Sequence, residues 1–350
     1  MKSGSIWWRQ LSISIGLMDG IEQFLLDERS FVLQIPGRLP WRDVFDSLLR
    51  ERFSALRADR TLSICTPPSG CDPGEYLLAR FCPPDFQAGY WPGQSYAAYL
   101  AASDTLPLHE SFIWLRGLCE KRELDSWRRF VQEYTAACKA LPQQAVFVLE
   151  YTGPAGEKKW QGLRYVVREY DCRIFCLEAA AGLPYQEWAQ HYLAEVAAQI
   201  GNGDAELCAA LLDRHENMLE EPVETALEAL RSPHTDGSPP DAYSREAVES
   251  ALWKAQIAVV FPEVEQFRVR FIGQHTAALM RFLPVRNSND EEIQEPQDLE
   301  IGNLDYIVRN NGGICPPEEA RRLAMCRQIR NLLAHNRIVP FAQLKRLWQA

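Results

Sequence analysis

The stretch Arg321–Arg346 reads RRLAMCRQIRNLLAHNRIVPFAQLKR and combines a helical pattern with a compact set of reactive side chains. Its apolar residues recur at steps of three and four, as expected for a helix that packs one face against a core. These residues are Leu323, Cys326, Ile329 and Leu333. Arg327, Asn331 and His335 recur at steps of four, which predicts a polar stripe along another face. Arg330 precedes His335 by five residues, which places them about 140° apart around the helix. The two side chains can therefore meet only if the long arginine reaches around, if the helix bends, or if one of them comes from a second chain.

The start and the end of this helix are marked by prolines. Pro316 and Pro317 suit a first helical turn, and Glu318 and Glu319 favour the positive end of the helix dipole. Pro340 cannot continue a helix. The pattern therefore predicts one helix that runs from these residues to Pro340.

Charge is distributed unevenly along the 350 residues, which carry a formal net charge of -10. Residues 317–350 contain seven Lys and Arg residues against two glutamates, a local charge of +5, so the rest of the chain carries -15. An acidic chain opposes nonspecific binding to nucleic acid. Any contact with phosphate groups is therefore expected near the C-terminal end.

Composition places the chain in the ordinary globular class, with 47% hydrophobic and 24% charged residues. Its length favours two domains. The ten cysteines contain no C-x-x-C pair, which is typical of reduced thiols in a cytoplasmic protein. Met1–Gly20 has no continuous apolar run, so neither a signal peptide nor a membrane span is expected there.

The N-terminal part alternates apolar runs with helical patterns, which is typical of an α/β layer structure with a parallel sheet flanked by helices. Strands are expected at Ser30–Pro36, Thr61–Cys65, Ala145–Glu150, Val166–Tyr170 and Cys172–Glu178. Helices are expected at Ser5–Leu26, Trp41–Leu56, Leu108–Glu120, Asp125–Leu141, Pro184–Ile200 and Ala205–Leu219.

The loop after the first strand is where a phosphate-binding loop would lie, but it reads PGRLPWR. It lacks the G-x-x-x-x-G-K-[ST] pattern, and Pro36 and Pro40 have no N–H to donate. No cofactor, and no binding of ATP, is therefore expected. Glu150 ends an apolar strand and resembles a Walker B carboxylate; alternatively it is a polar end to a buried strand.

A polar linker divides the chain in the sequence-based interpretation. Residues 232–240 read SPHTDGSPP without an apolar anchor. This predicts an α/β domain at 1–231, a linker at 232–243 and an all-α helical bundle at 244–350. Within the last part, Pro262 is expected to split one long apolar pattern into two helices.

The RNLLAH run, Arg330–His335, resembles the R-x(4–6)-H motif of the HEPN superfamily, whose all-helical domains include many metal-independent ribonucleases. The acidic segment DLEIG upstream and the succession of helices fit the same family. In that family the motif begins near the N-terminal end of a late helix, whereas here it lies deeper inside one. The region 1–231 more weakly resembles a degenerate P-loop NTPase domain of the inactive STAND type.

These resemblances imply a set of roles. His335 would act as general acid or base, Arg330 would stabilise phosphate charge, and Asn331 would orient His335 or bind phosphate. Arg327 and Arg337 are the further candidates for RNA binding. No metal is expected, because the six histidines show no zinc-like spacing.

Two functions fit this pattern. The first is an RNA-cleaving effector of a bacterial conflict or toxin-antitoxin system, joined to an inactive NTPase-like sensor and acting as a cytoplasmic homodimer. The second is a noncatalytic scaffold that recruits a partner protein such as an antitoxin or a defence-system component. Neither function requires a membrane.

Overall fold

The computed structural model describes residues 3–141, 143–154, 162–286 and 290–349. The chain forms two compact units, Met1–Val167 and Arg168–Ala350. The helices between residues 169 and 229 belong to the second unit, whereas the sequence-based division places this region with the sheet. None of the helices in the described ranges is long and apolar enough to cross a membrane.

The first unit is a parallel sheet between two layers of helices, as the sequence predicts. Its strands are β1 (Phe31–Gln34), β2 (Thr61–Cys65), β3 (Ser111–Leu118), β4 (Val146–Tyr151) and β5 (Gly162–Arg164), in the spatial order β2-β3-β4-β1-β5. Its helices are α1 (Ser3–Gln10), α2 (Ser12–Leu26), α3 (Arg42–Leu56), α4 (Pro73–Phe81), α5 (Pro84–Ala88), α6 (Tyr96–Leu100) and α7 (Lys121–Ala137).

Aromatic side chains hold the layers of this unit together. On one face of the sheet, α3 places Phe53 at 4.5 Å from Phe112 and Phe45 at 5.9 Å from Trp114, between ring centroids. On the other face, Tyr134 of α7 lies 5.5 Å from Phe147. The sheet is therefore buried on both sides, which explains why its strands read as continuous apolar runs.

The prediction of a helix at Leu108–Glu120 is wrong, because Ser111–Leu118 is strand β3, paired with both β2 and β4. Its run of large apolar residues is buried on both faces and therefore shows no alternation that would distinguish it from a buried helix. Gly117 has φ of 79° where the register shifts between Leu115 and Leu118. A glycine adopts this backbone conformation without a steric penalty.

The strands predicted at Val166–Tyr170 and Cys172–Glu178 are also wrong, because helix α8 spans Glu169–Ala180. The buried positions are Cys172, Phe175, Cys176 and Ala180, a helical spacing. The short run CRIFCLE misleads because cysteine, isoleucine and phenylalanine also favour strands. The predicted helix at Ser5–Leu26 is in fact two, since Leu11 is extended between α1 and α2.

The second unit is helical. It contains α8, α9 (Glu187–Gly201), α10 (Ala205–Leu212), α11 (His215–Glu220), α12 (Pro222–Ala229), α13 (Arg245–Leu279), a hairpin of β6 (Val285–Arg286) and β7 (Glu292–Ile293), α14 (Ile301–Asn310), α15 (Pro317–Ala334) and α16 (Phe341–Gln349). Helix α13 continues through Pro262, contrary to the predicted split, and its non-helical residue is His275. A helical C-terminal region is confirmed.

Helix α9 is central to the second unit. Its Tyr192 hydroxyl lies 3.1 Å from the Gln256 amide nitrogen of α13, and its Trp188 ring stacks on Trp348 of α16 at 4.7 Å. Helix α13 in turn contacts α15, where Trp253 Nε1 donates to the Leu333 carbonyl at 2.9 Å. The helices before and after the predicted linker therefore share one core.

Candidate functional site

Helix α15 presents the residues that the sequence singles out. Leu323, Cys326, Ile329 and Leu333 are buried, as the periodicity predicts. Burial raises the pKa of the Cys326 thiol to about 12, so this cysteine is a packing residue rather than a nucleophile. The polar stripe remains accessible, since Arg327 is half-buried while Asn331 and His335 are exposed.

The helix ends at Ala334, with His335 as its C-cap, rather than continuing to Pro340. Asn336 adopts φ of 56°, the left-handed conformation that asparagine tolerates. The Arg337 N–H then donates to the Leu332 carbonyl at 2.9 Å, and the Asn336 N–H donates to the Leu333 carbonyl at 3.2 Å. This pair of hydrogen bonds is a Schellman motif. The RNLLAH run therefore occupies the C-terminal end of the helix.

A buried amide fixes the segment that follows the motif. Gln256 of α13 accepts from the Val339 N–H at 2.7 Å and donates to the Val339 carbonyl at 2.9 Å. Its side chain is fully buried. Because both main-chain groups of Val339 are held, the position of the exposed His335–Arg337 turn is set from both ends.

Arg327 is engaged by a buried carboxylate that the sequence analysis did not single out. Asp305 of α14 accepts from Arg327 Nη1 at 2.6 Å through one oxygen and from Arg309 Nε at 3.0 Å through the other. The Asp305–Arg309 spacing of four residues on one helix was the available signal. The pairing with Arg327, 22 residues away, depends on the packing of α14 against α15.

The remaining predicted residues carry few contacts. Arg330 Nη2 lies 3.4 Å from Glu300 Oε2, an exposed pair at the start of α14. Among the described residues, no side-chain hydrogen bond joins Asn331 to His335, and Arg337 is exposed. Exposed pairs of this kind are weak and exchange readily with other ligands. Arg330, whose side chain is 36% exposed, can therefore exchange its glutamate for an external anion.

A helix C-terminus supplies carbonyl groups rather than N–H groups, so it cannot bind phosphate through its backbone as a helix N-terminus does. An anion at this position must be bound by side chains. Arg330 and Arg337 each present several N–H donors in a planar fork, the geometry that matches a phosphate group. The exposed imidazole of His335 lies between these two arginines in sequence.

The carboxyl edge of the sheet is the second place where a site could lie. Strands β1 and β4 are neighbours, and the connections that follow them lead to opposite edges of the sheet. Ligands of open parallel sheets bind at such switch points. Glu150 of β4 lies here and is buried, so its partners decide whether it can serve a ligand.

Glu150 is fully engaged by protein groups. Arg42 Nη2 reaches both carboxylate oxygens at 2.5 Å, and Trp114 Nε1 donates to Oε2 at 2.7 Å. Arg116 approaches the same oxygen at 3.6 Å and also forms a two-point ion pair with Asp46. Two arginines and two carboxylates thus neutralise each other, which leaves no charge for a nucleotide phosphate or a magnesium ion.

The loop between β1 and α3 lacks the features of a phosphate-binding loop. Trp41 has φ of 45° at the N-cap of α3, a conformation that phosphate loops give to glycine, and its side chain is buried. The Pro40 carbonyl accepts from Trp8 Nε1 at 2.8 Å. The loop is therefore fixed by tryptophan packing rather than shaped around an anion.

No group of three or more His, Cys, Asp or Glu side chains among the described residues could hold a metal ion. No protein-family model matches the sequence, and no curated protein gives a significant match.

Proposed function

We propose that this chain is a HEPN-type, metal-independent endoribonuclease effector of a bacterial conflict or defence system, in which α13 to α16 form the catalytic bundle. In this proposal the first unit is a P-loop-like domain without nucleotide hydrolysis, serving as sensor or scaffold. The observation that carries the proposal is the C-terminal end of α15, where Arg330, Asn331 and His335 are accessible to solvent.

The chemistry requires only side chains of this kind. Cleavage of RNA by its own 2′-hydroxyl needs a base to remove the hydroxyl proton and an acid to protonate the departing 5′-oxygen. His335 supplies one of these roles, and solvent water takes or gives the other proton. Arg330 exchanges its exposed glutamate for the phosphate and stabilises the charge that develops on its oxygens. Asn331 binds phosphate or orients the imidazole.

A homodimer completes the site in this proposal. Arg330 and His335 are separated by about 140° on the helix, so two facing copies of α15 bring them together more readily than one. Each copy would then supply an arginine to the other's histidine across a basic cleft. The phosphate of the bound RNA offsets the repulsion between the arginines.

The test is cleavage of a mixed RNA pool by the purified full-length chain, with and without EDTA. His335→Ala is expected to lower cleavage by at least about 100-fold, the usual contribution of a general acid or base. The matched control is His191→Ala, which removes an exposed histidine of α9 and should leave cleavage unchanged. Arg330→Ala should weaken both RNA binding and cleavage, and light scattering should give a dimer mass for every variant.

The second candidate is a noncatalytic scaffold that recruits a partner protein. It is favoured by the engagement of Arg327 with Asp305 and of Glu150 with two arginines, because both are contacts that stabilise a fold without chemistry. Absence of cleavage by the wild-type chain across a range of pH and salt, or equal cleavage by wild type and His335→Ala, would make the scaffold the better account.

A further inference from the structure

The outer face of α14 carries an exposed aromatic ring beside a pair of arginines. Tyr306 is 69% exposed. The side chain of Arg309 is 56% exposed and that of Arg327, on α15, is 40% exposed. Both arginines are held by the same buried carboxylate, Asp305, and both have guanidinium surface that faces solvent.

Asp305 orients the arginines without neutralising them. Among the described residues, Arg309 bonds to it through Nε alone and Arg327 through Nη1 alone, so each guanidinium keeps donors for another partner. Two arginines and one carboxylate leave a net charge of +1. Their side chains are pre-organised, which reduces the entropy that is lost when they bind an anion.

The positions around α14 bring the ring and the arginine together. At 100° per residue, Arg309 lies about 60° from Tyr306 on the helix surface, and Gly302 lies about 40° from Tyr306 one turn earlier. A Cβ atom added to Gly302 would meet nothing within 4 Å. The surface at Gly302 is therefore open.

We infer that Tyr306, Arg309 and Arg327 form a subsite for one unpaired nucleotide of single-stranded RNA, next to the cleavage position. The two guanidinium groups bind its phosphate, and its base stacks on the Tyr306 ring. Arg327 precedes His335 by eight residues, about 12 Å along the helix axis, which places this nucleotide beside rather than at the reacting phosphate. The inference rests on the proposed function for its choice of ligand.

A base in a duplex cannot stack on a protein ring, so the subsite requires single-stranded RNA. Phosphate contacts make the binding constant fall as the salt concentration rises. Stacking makes the binding constant fall when the aromatic ring is removed. The two contributions can therefore be measured separately.

The experiment measures binding of a fluorescent 12-nucleotide RNA of mixed sequence by the full-length His335→Ala chain, in which cleavage is disabled. Adding Tyr306→Leu should weaken binding at least about five-fold. Adding Arg309→Gln should weaken binding and make the negative slope of log K against log salt shallower by about 0.7. Gly302→Glu adds a negative charge to open surface early in the helix, where carboxylates are favourable, and should weaken binding without loss of stability.

Matched controls separate the subsite from general surface effects. Tyr170→Leu removes a tyrosine of α8 that is 68% exposed, and Arg245→Gln removes an arginine of α13 that is 48% exposed and paired with Glu224. Neither change should alter the affinity. Urea unfolding of each variant shows whether a loss of binding reflects a loss of folding.

If the Tyr306, Arg309 and Gly302 variants bind as tightly as the controls, the inference is overturned while the cleavage test of His335 still decides the proposed function. Absence of RNA binding by the His335→Ala parent would also overturn it. Displacement of the RNA by polyglutamate, with no effect of Tyr306→Leu, would assign this face to an acidic protein partner instead. Ring-dependent binding in a chain that does not cleave RNA would support the subsite and reject the nuclease.

Discussion

At the scale of single residues, two buried carboxylates, Glu150 and Asp305, are each held by two arginines. The two groups differ in net charge and in exposure to solvent. Glu150 shares Arg42 and Arg116 with Asp46, so the network has no net charge and is closed. Asp305 pairs with two partly exposed arginines, and no second carboxylate among the described residues joins them. Of the two, the second arrangement retains positive charge toward solvent, which is why we place the proposed phosphate contacts on α14 and α15.

Replacing Asp305 by asparagine should destabilise the second unit by about 1–3 kcal/mol. This is less than the loss for a fully buried pair, because solvent screens the two arginines that lose their partner. Urea unfolding of the full chain measures the difference. The control is Asp290→Asn, which removes an exposed carboxylate paired with Arg286 and should change stability by less than about 0.5 kcal/mol. Equal midpoints for the two variants would contradict this assignment.

At the scale of elements, the end of α15 is determined by Asn336 in its left-handed conformation. Asn336→Gly should stabilise the chain by a few tenths of a kcal/mol up to about 1 kcal/mol, because glycine adopts this conformation without strain. Asn336→Val should destabilise it by a similar or larger amount. Thermal unfolding of both variants is the measurement. In the proposed ribonuclease, cleavage by Asn336→Gly should equal that of the wild type, which would distinguish this structural asparagine from Asn331.

The loop between β1 and α3 leads to a prediction about nucleotides. The network around Glu150 has no net charge and Trp41 packing fixes the loop, so titration calorimetry with ATP and magnesium should show no micromolar binding. Glu150→Gln should destabilise the first unit by about 2–4 kcal/mol, because Arg42 and Arg116 lose one of their two carboxylates and the buried network gains a net positive charge. Micromolar binding by the wild type that is abolished in Glu150→Gln would instead show that the first unit binds a nucleotide at Glu150.

At the scale of the whole molecule, the contacts of α9 with α13 and α16 predict where the chain can be divided. A fragment of residues 168–350 should fold cooperatively, because it retains the Tyr192–Gln256 hydrogen bond and the Trp188–Trp348 stack. A fragment of residues 244–350 loses α9 and exposes the buried faces of α13 and α16. Circular dichroism during urea titration of both fragments tests this. A cooperative transition of the shorter fragment would show that the division at 232–243 is the one that matters for folding.

The sequence by itself determined the features that depend on local periodicity. Residue spacing was enough to identify the buried face of α15, strands β1, β2 and β4, and the lack of a phosphate-loop pattern. Helices and strands repeat every few residues, so a short stretch of sequence shows their period. It failed where a run was too short or too uniformly apolar to show a period, as in β3 and α8.

Tertiary structure decided which charged groups meet. The partners of Asp305 and Glu150 lie up to 108 residues away in sequence, and no local pattern specifies such pairs. Packing of α14 against α15 pairs Arg309 and Arg327 with one carboxylate, Asp305, and leaves both arginines about half exposed. Packing of α3 against the sheet instead places Arg42 and Arg116 between two carboxylates, Glu150 and Asp46. Coulomb energies depend on distance and on exposure to water, and the fold alone sets both.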